Sequence, residues 1–135
     1  MKPEAELQAA CCRWFDNQYP QYTKFITVQK KVRGKIVYKV QRVSLLCCNA
    51  NGGYRDIREA RNLSKQGISV GVADLTLYVK KQNIPALLIE LKARKGKQSE
   101  AQTEFQKLAE AQGYQYALIF NFDDFKTTIE NYLIK

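Results

Sequence analysis

Three ionisable residues, Asp74, Glu90 and Lys92, stand at spacings that suit work on a phosphate ester. Glu90 and Lys92 close an apolar run, Pro85 to Lys92, that reads as a strand. Side chains alternate along a strand, so Leu88, Glu90 and Lys92 share one face while Ile89 and Leu91 share the other. The preceding strand, Val70 to Val79, places Val72, Asp74, Thr76 and Tyr78 together. The polar link Lys80-Lys81-Gln82-Asn83 suits an antiparallel pair, and a turn centred on Gln82 sets Asp74 directly opposite Glu90.

Two carboxylates so placed would have Cβ atoms about 5 Å apart and would repel. A divalent cation between them offsets the repulsion, and Mg²⁺ favours a few carboxylate oxygens completed by water and substrate phosphate. Lys92, one step further on the same face, could set its ammonium at the phosphate or the attacking water. The plainer reading is a solvated strand end with a local salt bridge, and spacing alone leaves both open.

Positioning elements lie on either side. Residues 3–16 have helical spacing of Leu7, Ala10, Cys11, Trp14 and Phe15, with Pro3 in the first turn. At about 100° per residue Glu4 faces inward with this stripe and Glu6 outward, while Gln8 borders the same face. An inward carboxylate needs a partner or a metal, although Glu4 also suits the positive end of the helix. Ser99 and Gln102 form the Ser-x-x-Gln of a capping box opening another helix. That role explains both residues, and Gln102 could also point toward the carboxylates.

The remaining chain reads as a hairpin, Lys24 to Val32 and Lys35 to Cys48 around Arg33-Gly34, then a turn-rich stretch at 49–53. A helix over Asp56 to Gln66 follows, ended by Gly67 in a left-handed conformation. After the two strands and the Ser99 helix come Gly113, a short buried strand Tyr114 to Phe120, and a helix Asp123 to Ile134. This order predicts a mixed α/β layer structure, and 135 residues suit one domain spanning 1–135.

Net charge is +9, from 22 Lys and Arg against 13 Asp and Glu, which favours polyanions, nucleic acid first. Lys24 to Arg42 holds seven basic residues and no acidic one, so it is either a binding face or a solvated cationic hairpin. The absence of His excludes Ser-His-Asp triads and HExxH zinc sites. The pairs Cys11-Cys12 and Cys47-Cys48 lack metal or redox spacing and read as reduced, implying a cytoplasmic setting. No apolar run is long enough to span a membrane.

Taken together, the chain resembles the VRR-NUC branch of the PD-(D/E)xK nuclease superfamily in a stand-alone form. The resemblance rests on Glu4 with Leu7-Gln8, on Asn51-Gly52-Gly53-x-Arg55, on Gly67-x-x-x-Gly71-Val72-x-Asp74, on Ile89-Glu90-Leu91-Lys92 and on Gly96-x-x-Ser99-x-x-Gln102. It implies a restriction-endonuclease-like core, a mixed central sheet flanked by helices. Asp74, Glu90 and the Leu91 carbonyl would be metal ligands for Mg²⁺ or Mn²⁺ and Lys92 the catalytic lysine. Glu4 would support metal or water, with Gln8, Ser99 and Gln102 around them. Asn51, Gly52, Gly53, Arg55, Lys65, Lys95 and Lys97 flank this site in sequence and would hold the DNA backbone.

Two features depart from the family pattern. Ala73 replaces the proline that often precedes the aspartate, and the basic hairpin at about 24–48 maps onto none of its motifs. The implied activity is a metal-dependent DNA endonuclease, selective for branched or four-way-junction DNA and working as a homodimer. The alternatives are a non-catalytic basic DNA-binding module and a subunit of a DNA-processing complex.

Overall fold

The computed structural model describes residues 3–49 and 65–134. Helix α1 covers Pro3–Gln18, burying Cys11 and Phe15, and gives way to a 3-10 turn at Pro20–Tyr22 because proline cannot continue it. Strands β1, Thr23–Val32, and β2, Lys35–Ser44, form a sheet of their own. Their turn uses Arg33 and Gly34 at φ 52° and 79°, the left-handed pair that matches the twist of a tight hairpin. The chain bends at Leu45 and enters β3, Leu46–Cys48, so the predicted strand Lys35 to Cys48 is two strands in two sheets.

The main sheet has the order β3-β4-β5-β6, with β4 at Leu75–Leu77, β5 at Leu87–Leu91 and β6 at Gln115–Ile119. The pairs β3-β4 and β4-β5 are antiparallel and β5-β6 is parallel. The parallel step needs a crossover, which helix α2, Glu100–Ala111, supplies. Helix α3, Phe122–Ile134, follows β6 and closes the order. The fold is a mixed α/β layer structure, a mixed four-stranded sheet flanked by helices, as expected.

Every residue of β5 is buried, since helices cover both faces of the sheet there. Leu87, Ile89 and Leu91 join Phe15, Leu46, Leu75, Leu77, Ile119, Phe125 and Ile129 in the larger core between sheet, α1 and α3. Leu88 turns the other way and packs with Ala73, Ala109, Phe105 and Tyr116 near α2. Glu90, sharing the Leu88 face, is therefore fixed beside α2 by the same alternation that fills the core.

The expected register is the observed one: Leu75 pairs with Ile89, Thr76 with Leu88 and Leu77 with Leu87, which sets Asp74 across from Glu90. The strands are shorter than predicted, because the backbone from Val70 to Asp74 is a loop. Tyr114 to Phe120 is less buried than expected; β6 lies at the sheet edge and only Ile119 is fully buried. Gly67 is left-handed at φ 90° as predicted, while the body of the expected helix Asp56 to Gln66 lies outside the described residues. All four cysteines are free thiols, Cys11 alone fully buried. Among the described residues, no helix is long and apolar enough to cross a membrane.

Candidate active site at the end of the central strand

Glu90 is the buried charge of the main sheet, 1% exposed. Its Oε2 accepts from Gln102 Nε2 at 2.9 Å and lies 3.4 Å from Lys92 Nζ. Its Oε1 is buried without a hydrogen-bond partner among the described residues, an arrangement that costs roughly 1–3 kcal/mol or more unless something binds there. Burial, and next the Asp74 carboxylate, push the Glu90 carboxyl up to about 7, while Lys92 acts in the opposite sense.

Asp74 sits where the loop 70–74 enters β4. Its Oδ2 accepts the Leu91 N–H at 2.7 Å, so the carboxylate bridges to β5 one residue past Glu90. In a strand the N–H and C=O of one residue point the same way, which turns the Leu91 carbonyl toward the Asp74 side as well. Asn49 clamps this loop: its N–H donates to the Asp74 carbonyl at 2.8 Å, and its Nδ2 donates to the Ala73 carbonyl and to Thr76 Oγ1. Sequence reading treats Asn49 only as the start of a turn; its clamp appears once β3 lies beside β4.

Ser99 and Gln102 make the predicted capping box, with Ser99 Oγ accepting from the Gln102 N–H and Gln102 Oε1 accepting from the Ser99 N–H. The other end of the Gln102 amide reaches Glu90, so one side chain caps α2 and orients the carboxylate. Gly71 brings loop and helix together. Its φ is 79°, and a Cβ there would lie 2.4 Å from the Ala101 carbonyl oxygen, so only glycine fits. Beyond Gln102, Gln98 donates to Tyr116 Oη and Gln106 Oε1, a network that sequence spacing did not single out because its members come from a loop, a helix and a strand.

Glu4 is exposed rather than inward, because it stands in the first turn of α1 beyond the sheet. Its Oε1 still accepts from the Ala93 N–H at 3.4 Å, placing it past the end of β5. Gln8, one turn on, donates to Cys48 Sγ and does not reach the carboxylates. Lys65, Lys95 and Lys97 are exposed, the last two in the loop after Lys92, while Asn51, Gly52, Gly53 and Arg55 lie outside the described residues.

Among the described residues, no three Asp, Glu, Cys or His side chains gather at one point. The oxygens at this end of the sheet that could serve an ion are the Asp74 and Glu90 carboxylates and the Leu91 carbonyl. All are hard oxygen donors, and a short protein set suits an ion that keeps several waters, as Mg²⁺ does. The orphaned Glu90 Oε1 fits such an ion.

No protein-family model and no curated protein matches the chain. A solved structure described as a "VRR_NUC domain protein" is similar over 99% of this chain and 90% of that one, with a TM-score of 0.69 and 18% identity. A likeness at that identity speaks for architecture, and this chain has the fold of that VRR_NUC domain protein.

Proposed function

We propose that this chain is a Mg²⁺- or Mn²⁺-dependent DNA endonuclease, a stand-alone member of the VRR-NUC branch. The observation that carries the reading is the buried, unpaired Glu90 Oε1 beside Asp74, with Lys92 within reach. Similarity to a VRR_NUC domain protein supports the same conclusion.

Asp74, Glu90 and the Leu91 carbonyl would hold the ion. When bound, a divalent cation supplies polarisation of the phosphoryl oxygen and a more acidic water. Lys92 carries an ammonium that offsets charge developing on the phosphate. Gln102 fixes Glu90 through Oε2 and leaves Oε1 for the ion. Glu4, near the Ala93 N–H, supports a water at the mouth. Lys95 and Lys97 extend from the adjoining loop to hold phosphates, which positions DNA without reading bases.

Symmetric cutting of two strands suits a two-fold assembly, so the proposal includes a homodimer and branched or four-way-junction substrates. The test is cleavage of linear, flap, nicked and four-way-junction DNA with Mg²⁺ or Mn²⁺, comparing wild type with Glu90→Ala and Lys92→Ala. Cleavage of branched DNA that both substitutions abolish is expected. A wild type that cuts nothing and binds no Mn²⁺ would instead make the chain a non-catalytic DNA-binding module or subunit.

A further inference from the structure

The β1-β2 ribbon is the largest feature that the proposed chemistry leaves unused. It has ten paired rungs, from Thr23-Ser44 to Val32-Lys35, and at about 3.4 Å per residue it extends roughly 30 Å. Its foot is tied down. Arg42 makes a bidentate pair with Asp16 of α1 at 2.7 and 2.8 Å, and Thr23 Oγ1 bonds Asp16 and Ser44. Beyond the foot every described side chain except Val28 is exposed. Two-stranded ribbons are marginal alone in water, and among the described residues nothing covers either face of this one beyond its foot.

The register separates two faces. Lys24, Ile26, Val28, Lys30 and Val32 share one with Val43, Gln41, Lys39, Val37 and Lys35; Phe25, Thr27, Gln29 and Lys31 share the other with Arg42, Val40, Tyr38 and Ile36, which makes it the more aromatic and less basic face. Four lysines therefore recur along one face, drawn alternately from the two strands. Each stands opposite an uncharged residue: Lys24 by Val43, Lys39 by Val28, Lys30 by Val37 and Lys35 by Val32. A ribbon built only for solubility gains from cross-strand pairs of opposite sign. This one has none, since Asp16 neutralises only Arg42, at the foot. The missing charge is negative and repeats over roughly 30 Å.

We infer that the lysine face of the β1-β2 ribbon binds duplex DNA, the ribbon lying in a groove with its lysines on phosphates. The major groove admits a two-stranded β-ribbon, and roughly 30 Å of duplex spans about nine base pairs. The foot joins α1 at Asp16, twelve residues from Glu4, which puts it roughly 18 Å along the helix from the Glu4 carboxylate that meets the Ala93 N–H past the end of β5. The ribbon thus grips DNA away from the bond that is cut. This inference rests on DNA being the substrate, as proposed above.

The test is fluorescence anisotropy of a labelled 30-base-pair duplex in EDTA, from 50 to 300 mM salt, with the full chain. Wild type is compared with the combined variant Lys24→Gln, Lys30→Gln, Lys35→Gln and Lys39→Gln. Loss of four phosphate contacts should lower the magnitude of the slope of log K against log salt by about 3–4 and weaken binding at least tenfold. Circular dichroism and Mn²⁺ calorimetry should match wild type, showing that the core and carboxylate site are intact. An unchanged slope overturns the inference. So does an unchanged slope together with a sedimentation shift in Ile36→Ser, Tyr38→Ser, Val40→Ser, which assigns the ribbon to a second copy. Because no metal is present, a chain that binds DNA through the ribbon yet never cuts would refute the nuclease reading alone.

Discussion

The pairs β4-β5 and β1-β2 obey one rule of alternation and meet opposite solvents. In β4-β5 three rungs are enclosed by helices, and the charge set at their end, Asp74 and Glu90, is acidic and largely dry. In β1-β2 the rungs beyond the Thr23-Ser44 foot stand in water and the charges are basic. Burying charge is costly and exposing it is not. The chain therefore spends its desolvation on Glu90, where the proposed cation would return the energy, and leaves the ribbon's lysines in water, where the proposed DNA phosphates would reach them.

The comparison breaks first if the buried end is not catalytic. Glu90→Ala and Lys92→Ala should each lower DNA cleavage at least 10³-fold, about 4 kcal/mol of transition-state stabilisation, measured under single-turnover conditions with Mg²⁺. Asp74→Ala should in addition remove Mn²⁺ binding seen by calorimetry. Mutant rates within tenfold of wild type would leave the carboxylate pair a structural feature only.

Next in size is the glycine that packs loop on helix. Gly71→Ala meets backbone at 2.4 Å and a left-handed φ, so a loss of about 3 kcal/mol is expected in urea denaturation. Because Gln102 lies in the first turn of α2, whose backbone must move, cleavage should fall in the same variant even at temperatures where it stays folded. Retained stability would mean the loop 70–74 can be repositioned freely.

The titration of Glu90 sharpens the contrast in metal-free protein. Its pKa rises from 4.5 to about 7, chiefly through burial. The protonated form thus favours folding: the contribution is full below about 4.5 and is lost as pH rises through about 7. Wild type should therefore lose on the order of 3 kcal/mol between pH 4.5 and 8 relative to Glu90→Gln. Mn²⁺ bound as proposed to the ionised carboxylate should reverse that trend in wild type and not in the variant. A pH-independent difference between the two proteins would contradict the assignment.

Much of the buried end was legible in sequence, and the reasons are local. Alternation fixed the faces of Glu90 and Lys92, a short link fixed the register that sets Asp74 opposite Glu90, and Ser99 with Gln102 announced a capping box. What escaped was set by tertiary neighbours. Glu4 satisfies a helical stripe at an angle that says nothing of depth, and at the first turn of α1 it projects past the sheet into water. Asn49 and Tyr116 carry no spacing signal, since their roles exist only after β3 and β6 flank the central pair. The hairpin was legible as a basic strand pair, but its alternation of lysine and valine looks identical in a half-buried strand and in a free ribbon.

That ambiguity gives the smallest and most direct measurement. Leu77 is fully buried and Val40 is 64% exposed, although both lie on antiparallel pairs. Leu77→Ala should cost about 2–5 kcal/mol in urea denaturation because it leaves a cavity in the main core. Val40→Ala removes a side chain already in water and should change stability by no more than about 0.5 kcal/mol. A Val40→Ala cost above 1 kcal/mol that grows with protein concentration would show the ribbon buried against another chain. A small, concentration-independent value leaves its faces free, as groove binding requires, since a ribbon already covered by protein could not lay its lysines on DNA.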